Sequence, residues 1–193
     1  MLTVHIFPVT APVSLINGNF DVDIKLPKGA TYEQKVPSGW SRLCCGAVSA
    51  DTAGGGDGGV VVVAENDWAW GGGGCGSPSS RYYLALQTNG LGWTAVGQNV
   101  TVPPFSRLEV SFFARSRPAV SSLTGVAVSF SSHVVSQDLS TSWGYYVVVF
   151  PHFEATSNTH TLTFSGALQS CILGWDCSCQ ISAVRTRAIL VHT

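Results

Sequence analysis

Apolar and polar side chains alternate with a period of two between Arg107 and Arg115. Successive side chains of a β-strand point to opposite faces, whereas an amphipathic helix repeats about every 3.6 residues. The pattern therefore predicts a half-buried antiparallel strand at the centre of a sheet. Its core face would carry Leu108, Val110, Phe112 and Ala114, and its solvent face Arg107, Glu109, Ser111, Phe113 and Arg115.

Further short apolar or alternating segments follow the same rule, and no segment of ten or more residues has a helical period. A hairpin is expected around Asn17-Gly18, and the segment with His133 and Asp138 is expected to be a loop. The fold class is therefore all-β, an antiparallel β-sandwich of the jelly-roll type. The other expected strands are Val60–Ala64, Arg81–Gln87, Ala95–Val102, Thr124–Ser132, Trp143–Phe150, His160–Phe164 and Gln180–Leu190.

The 193 residues fit one sandwich domain spanning 1–193, with Gly- and Cys-rich loop insertions at about 44–59 and 71–80. A glycine-rich loop can bind phosphate, but that chemistry requires a following helix N-terminus, usually with a lysine. Neither follows these clusters. They are interpreted as loops at one end of the sandwich, where recognition residues tend to collect.

Charged residues make up 11% of the chain, against about 25% in typical soluble domains, and the net charge is −1. The ten basic residues are scattered, which argues against nucleic acid or an anionic membrane as a partner. Apolar runs fall far short of the roughly 20 residues that span a bilayer, so no membrane insertion is expected. Residues 1–12 also lack the basic and apolar regions of a secretion signal.

Six cysteines form an even set whose pairing the sequence does not decide. Structural disulfides are favoured over free buried thiols, and a metal site is least favoured because the two-residue spacer of zinc pairs is missing. The disulfide candidates are Cys44, Cys45, Cys75, Cys171, Cys177 and Cys179.

Seven short motifs, taken in order, resemble the galactose-binding-like jelly rolls related to carbohydrate-binding modules, including plant cell-wall proteins of unknown function. The resemblance covers nearly the whole chain and implies the fold more specifically than the ligand. Gln98 and Arg117, which fall within these motifs, are expected to make at most contacts at the sheet rim. The motifs are Asn17-Gly-Asn-Phe-Asp21, Pro37-Ser-Gly-Trp40, Tyr83-Leu-Ala-Leu-Gln87, Gln98-Asn-Val100, Ala114-Arg-Ser-Arg-Pro118, Trp143-Gly-Tyr145 and His160-Thr-Leu-Thr-Phe164.

Two features depart from the resembled pattern. The closing Ile-Asp-x-Val is replaced by Ile181-Ser-Ala-Val184, which removes an acid that often helps to hold a structural calcium. Calcium takes six to eight oxygen ligands. A solvated turn is therefore favoured over a calcium site at the four nearby candidates, Asn17, Asn19, Asp21 and Asp23, and no other cofactor is expected. The Gly- and Cys-rich insertions have no counterpart in the pattern.

Glycan binding on a sandwich uses exposed aromatic faces with nearby amides and carboxylates. Trp68 and Trp70 alternate beside Glu65, Asn66 and Asp67 between the two glycine clusters, and they form the best platform. Trp93 and Trp175 are secondary candidates. Core or loop packing is favoured over ligand contact for Trp68 and Trp70, and core packing is also preferred for Trp40, Trp143, Tyr145 and Tyr146.

No catalytic residue is assigned, and the chain is not expected to be an enzyme. His133 with Asp138, or His152 with Glu154, could enter a Ser-His-Asp set, but no Gly-x-Ser-x-Gly elbow exists. A carboxylate pair for glycoside hydrolysis would need a separation that sequence does not supply.

Two classes of function follow. The first is a non-enzymatic carbohydrate-binding or adhesion module, whose partner is a glycan. The alternative is a structural subunit of a large assembly, such as a cell-surface layer or filament or a minor viral capsid protein, whose partners are neighbouring subunits. Both imply an extracellular, cell-surface or virion location.

Overall fold

The computed structural model describes residues 10–43, 59–65, 81–88, 94–118, 125–151, 159–167 and 177–190. These ranges contain β-strands and no helix, so none of the residues in them forms a helix that could cross a membrane. The strands are β1 (Thr10–Pro12), β2 (Tyr32–Gln34), β3 (Ser41–Arg42), β4 (Val60–Ala64), β5 (Tyr82–Thr88), β6 (Ala95–Thr101), β7 (Ser106–Ser116), β8 (Gly125–Phe130), β9 (His133–Asp138), β10 (Gly144–Phe150), β11 (Thr159–Ala167) and β12 (Cys177–Leu190).

The strands form two antiparallel sheets. The large sheet has the order β10-β7-β12-β5-β4-β2, and β1 also pairs with β12. The small sheet has the order β3-β6-β11-β8-β9. Sequence neighbours such as β6 and β7 belong to different sheets, so the chain crosses repeatedly between the two layers, as in a jelly roll.

The core lies between the inner faces of the two sheets. Phe112 of the large sheet contacts Phe164 of the small sheet edge to face, with ring centroids 5.2 Å apart. Trp40 is 6% exposed and packs against Phe20 and Phe164, as the core interpretation of this residue predicted. The predicted core face of β7, from Leu108 to Ala114, is fully buried.

Of the twelve strands in the described residues, eight were predicted, and the short strands β1, β2 and β3 and the edge strand β9 were not. The segment from His133 to Asp138 is not a loop but the edge strand β9, paired with β8. The hairpin expected around Asn17-Gly18 is absent, because residues 13–31 contain turns and irregular chain but no strand. Asn17, Phe20 and Asp23 have φ angles of 54°, 59° and 61°, which interrupt any extended strand.

Side chains from three of the resembled motifs meet and hold the N-terminal turns; we call Asn17, Trp40 and Gln98 the N-terminal brace. Asn17 Oδ1 accepts from the Val22 amide at 3.0 Å, and Trp40 Nε1 donates to the Asn17 carbonyl at 3.2 Å. Gln98 Oε1 accepts from the Ile16 amide at 2.7 Å. Gln98 is 5% exposed, so its expected place at the sheet rim is wrong.

The calcium candidates take part in these turns. Asn17 Nδ2 donates to the Ser38 carbonyl at 3.2 Å, and the Ser38 hydroxyl donates to Asp23 Oδ2 at 3.1 Å. Asn19 and Asp21 are exposed. Calcium stays the less favoured alternative at this position, and binding it would require Asn17 and Asp23 to exchange these hydrogen bonds for metal contacts.

A bulge in β12 receives the Asn17-Gly18 turn. The pairing of β12 with β7 shifts register between Ser182 and Arg185, and Ala183 has a φ of 49°. The Val184 amide donates to the Gly18 carbonyl at 2.9 Å. A Cβ on Gly18 would clash with the Val184 carbonyl, so this close approach requires glycine.

Cys179 is a free thiol, 1% exposed, on the core side of β12. The disulfide prediction is therefore wrong for this cysteine, whose neighbours across the ladders are Leu86 and Ser116. Burial raises the pKa of the Cys179 thiol to about 12, which keeps it protonated at neutral pH. Cys44, Cys45, Cys75 and Cys171 lie outside the described residues, as does the side chain of Cys177.

Candidate functional site

The outer face of the large sheet, turned away from the core, carries the candidate site. Strand register aligns two rows of side chains across it. The first row runs from Val61 through Ala85 and Gln180 to Arg115. Trp143 extends the row, because Gly144 pairs with Ala114 and Trp143 precedes it by one position.

Arg115 is 1% exposed although its strand face was expected to meet solvent. Its Nε donates to Gln180 Oε1 at 2.5 Å. Its guanidinium carbon lies 4.6 Å from the Trp143 ring centroid and 5.8 Å from that of Tyr83. Trp143 also contacts Tyr83 edge to face at 5.7 Å, and we call these four residues the arginine–aromatic cluster.

The contacts within the cluster compensate the buried positive charge of Arg115. A buried ion is costly unless it is hydrogen-bonded or otherwise compensated. Gln180 supplies an acceptor, and two ring faces attract the cation through their quadrupoles. Strand periodicity correctly assigned Arg115 to the outer face but gave no sign that it would be buried. Trp143, whose ring packs on the guanidinium, lies in a different segment of the chain, just before β10.

The second row ends in two aromatic side chains, one half-buried and one exposed. It begins at Tyr32 and Val63, and its other end joins Ser182, Phe113 and Tyr145. The rings of Phe113 and Tyr145 lie 5.1 Å apart, and we call them the aromatic pair. Tyr145 is 60% exposed, so its expected core position is wrong, whereas the neighbouring Tyr146 turns inward and stacks on Phe112 at 5.7 Å.

Below the aromatic pair the same face becomes charged. Val147, Ser111 and Arg185 align across β10, β7 and β12, and two residues further along Val149, Glu109 and Arg187 align. Glu109 lies on the outer face as predicted, but Arg187 covers part of it through an ion pair with an Nε to Oε1 distance of 2.7 Å. The hydrogen bond and charge of Glu109 raise the pKa of Arg187.

The tryptophan loop predicted as the glycan platform falls largely outside the described residues. Glu65 is described: it is exposed at the end of β4, and its amide donates to the Arg81 carbonyl at 2.9 Å. It lies two residues beyond Val63, which belongs to the second row. The predicted roles of Asn66, Asp67, Trp68, Trp70, Trp93 and Trp175 stay predictions.

The residues considered for catalysis are not brought together where the structure describes them. His133 and Asp138 occupy opposite ends of β9, about 17 Å apart at the rise of a strand. Glu109 is engaged by Arg187. Among the described residues, no three His, Cys, Asp or Glu side chains are grouped so as to hold a metal ion.

Comparison with known proteins gives matches in structure and none in sequence. No known sequence family and no curated protein matches the chain. The structure matches an apo cyclase from Fischerella sp. with a TM-score of 0.68 and 15% identity, over 95% of this chain and 98% of that one. The fold is an antiparallel β-sandwich of the jelly-roll type.

Two further matches carry bound ligands. The Stig cyclase Fisc from Fischerella sp. TAU, in complex with (3Z)-3-(1-methyl-2-pyrrolidinylidene)-3H-indole, has a TM-score of 0.68 at 13% identity over 95% of this chain and all of that one. The carbohydrate-binding module TmCBM61, in complex with β-1,4-galactotriose, has a TM-score of 0.51 at 13% identity over 77% of this chain and 88% of that one. At these identities the matches establish the fold, which the motif resemblance had predicted correctly.

Proposed function

We propose that this galactose-binding-like jelly roll is a non-enzymatic carbohydrate-binding module whose ligand lies on the outer face of the large sheet. The observation that carries the proposal is the aromatic pair, with Tyr145 exposed beside the arginine–aromatic cluster. The binding of galactotriose by TmCBM61, which has a similar fold, supports the ligand class.

The chemistry of the face suits a sugar. Sugar rings present C–H groups that pack on aromatic faces, and their hydroxyls need hydrogen-bonding neighbours. Phe113 and Tyr145 supply the aromatic surface, and the exposed guanidinium of Arg185, which aligns with Ser111 next to this row, supplies hydrogen-bond donors. Val63 and Ser182, between the ends of the second row, are buried, so the accessible aromatic surface on this side is the end with Phe113 and Tyr145.

Tyr145→Ala is expected to weaken polysaccharide binding about tenfold, because loss of one stacking ring removes roughly 1.4 kcal/mol. The measurement is affinity gel electrophoresis against a panel of neutral and acidic polysaccharides, followed by titration calorimetry on the best ligand. Tyr145 is exposed, so the variant should fold normally.

Phe105→Ala is the matched control, since Phe105 is a 55% exposed aromatic residue in the turn before β7. It should bind like the wild type. The proposal fails if the wild-type protein is retained by no polysaccharide of the panel, or if Phe105→Ala weakens binding as much as Tyr145→Ala.

The alternative of an assembly subunit is favoured by a separate observation. The edge strands β9 and β10 expose valines, with Val134 63%, Val147 49% and Val149 45% exposed. Exposed apolar edge strands tend to pair with other chains.

Under this alternative, sedimentation velocity should reveal self-association that grows with protein concentration. Val147→Lys should reduce it, because a charge on an edge strand opposes pairing. Val22→Lys, at a 47% exposed turn position, is the control and should leave association unchanged. A monomer throughout the concentration range would rule this alternative out for the isolated chain.

A further inference from the structure

Arginines are concentrated on the outer face of the large sheet. β7 and β12 contain four of the ten basic residues, all on the outer face, and Glu109 is the single acidic residue in β4, β5, β7, β10 and β12. The chain as a whole has a net charge of −1. Within the described strands, β7 and β12 therefore carry a local excess of positive charge on this face. The four residues are Arg107, Arg115, Arg185 and Arg187.

The exposed members form a column directly beneath the aromatic pair. Arg185 aligns with Ser111, which lies two residues along β7 from Phe113 of the second row. Arg187 follows two residues later, about 7 Å away along the strand, and Arg107 pairs with Ile189. We call Arg107, Arg185 and Arg187 the basic column; all three are exposed.

Ion pairing neutralises only part of the column. Glu109 binds Arg187 through two contacts, Nε to Oε1 at 2.7 Å and Nη2 to Oε2 at 2.8 Å. One carboxylate offsets one of the exposed arginines, so the column keeps an excess of positive charge beside the aromatic pair. The guanidinium fork of an arginine fits carboxylate and sulfate oxygens well.

We propose that the ligand of this face is an acidic polysaccharide, whose sugar rings stack on the aromatic pair while its carboxylate or sulfate groups contact the basic column. This inference rests on the proposed carbohydrate-binding function and specifies its substrate class. A neutral glycan would make no use of this local positive charge. Nucleic acid fits less well, because its charge density, one per about 1.7 Å of duplex, would call for many more cations than three.

The test uses ligand pairs that differ in charge: polygalacturonate against its methyl-esterified form, and dextran sulfate against dextran. Retention of each is measured by affinity gel electrophoresis on the wild-type protein. We expect retention by the charged member of at least one pair, at least tenfold stronger than by its neutral partner. Binding should weaken as salt shortens the Debye length from about 30 Å at 0.01 M to about 3 Å at 1 M.

Arg185→Gln should weaken binding of the charged polysaccharide about two- to fivefold, the range for loss of one exposed charge contact. Lys28→Gln makes the same change in net charge in the turn of residues 27–30, and it should bind like the wild type. Tyr145→Ala should weaken binding of the charged member as well, because the proposed ligand uses both surfaces.

The possible results distinguish the acidic ligand, the role of the basic column and carbohydrate binding itself. Equal binding of charged and neutral partners overturns the acidic ligand but leaves carbohydrate binding standing. Unchanged binding by Arg185→Gln, or equal losses in Arg185→Gln and Lys28→Gln, overturns the role of the column. Tighter retention of a single-stranded oligonucleotide than of any polysaccharide overturns the ligand class, and binding to no polysaccharide overturns both proposals.

Discussion

Arg115→Ala is expected to lower the free energy of unfolding by about 3 kcal/mol. The change leaves Gln180 Oε1 without the Nε donor 2.5 Å away, at a cost of about 1–3 kcal/mol for a buried acceptor. It also removes the cation beneath Trp143 and Tyr83, worth about 0.5–2 kcal/mol, and opens a cavity. Urea unfolding followed by tryptophan fluorescence measures the loss.

Two companion variants separate the causes. Arg115→Met retains most of the side-chain volume without the charge, so it should recover the packing part of the loss but not the hydrogen bond. Arg185→Ala removes an exposed arginine from the same face and should change stability by less than about 0.5 kcal/mol. A wild-type stability for Arg115→Ala would show that the arginine–aromatic cluster contributes nothing to the fold.

Gln98→Ala is expected to cost about 3 kcal/mol and to free the N-terminal turns. Gln98 accepts from the Ile16 amide and donates to the Ile16 and Gly39 carbonyls, at 2.7, 2.9 and 2.6 Å. Each such bond is worth about 1 kcal/mol, and the backbone groups left behind are partly buried. Hydrogen exchange should increase in residues 13–43 before it increases in β7 and β12.

Asn99→Ala is the neighbouring control. Asn99 is exposed and accepts one hydrogen bond from the Thr161 hydroxyl at 2.8 Å, so its loss should cost less than about 0.5 kcal/mol. Exchange that increases uniformly over all strands in Gln98→Ala would contradict a local role for the N-terminal brace.

Local sequence patterns predicted most of the strands, because the alternation of apolar and polar residues is contained within each strand. Alternation between Arg107 and Arg115 follows from a sheet with one face in the core, and the structure buries the expected side. The segment from His133 to Asp138 was missed because β9 lies at a sheet edge, where both of its faces are exposed and no apolar alternation is needed. The Asn17-Gly18 signal marks a real turn, but one closed by Gln98 and Val184 rather than by paired strands.

The candidate site was harder to predict because its parts come from distant segments. The pairing of β5, β12 and β7 brings together Tyr83, Gln180 and Arg115. The sequence around each of these residues contains no signal for the other two. The motif resemblance singled out Tyr83, Arg115 and Trp143 but not their contacts. Sequence reasoning placed Tyr145 in the core because consecutive aromatic residues on a strand do not reveal which one faces inward.

The long strand β12 has a consequence for the order of folding. Its first part bridges β5 and β7, and after the bulge its second part joins β7 to β1. The large sheet therefore depends on a strand that is synthesised after all its partners. Until the chain has emerged as far as Leu190, β5 and β7 lack their common neighbour, and the aromatic pair and basic column have no complete sheet beneath them. Closure of such a sheet relies on contacts distant in sequence, which is characteristic of slow, cooperative folding.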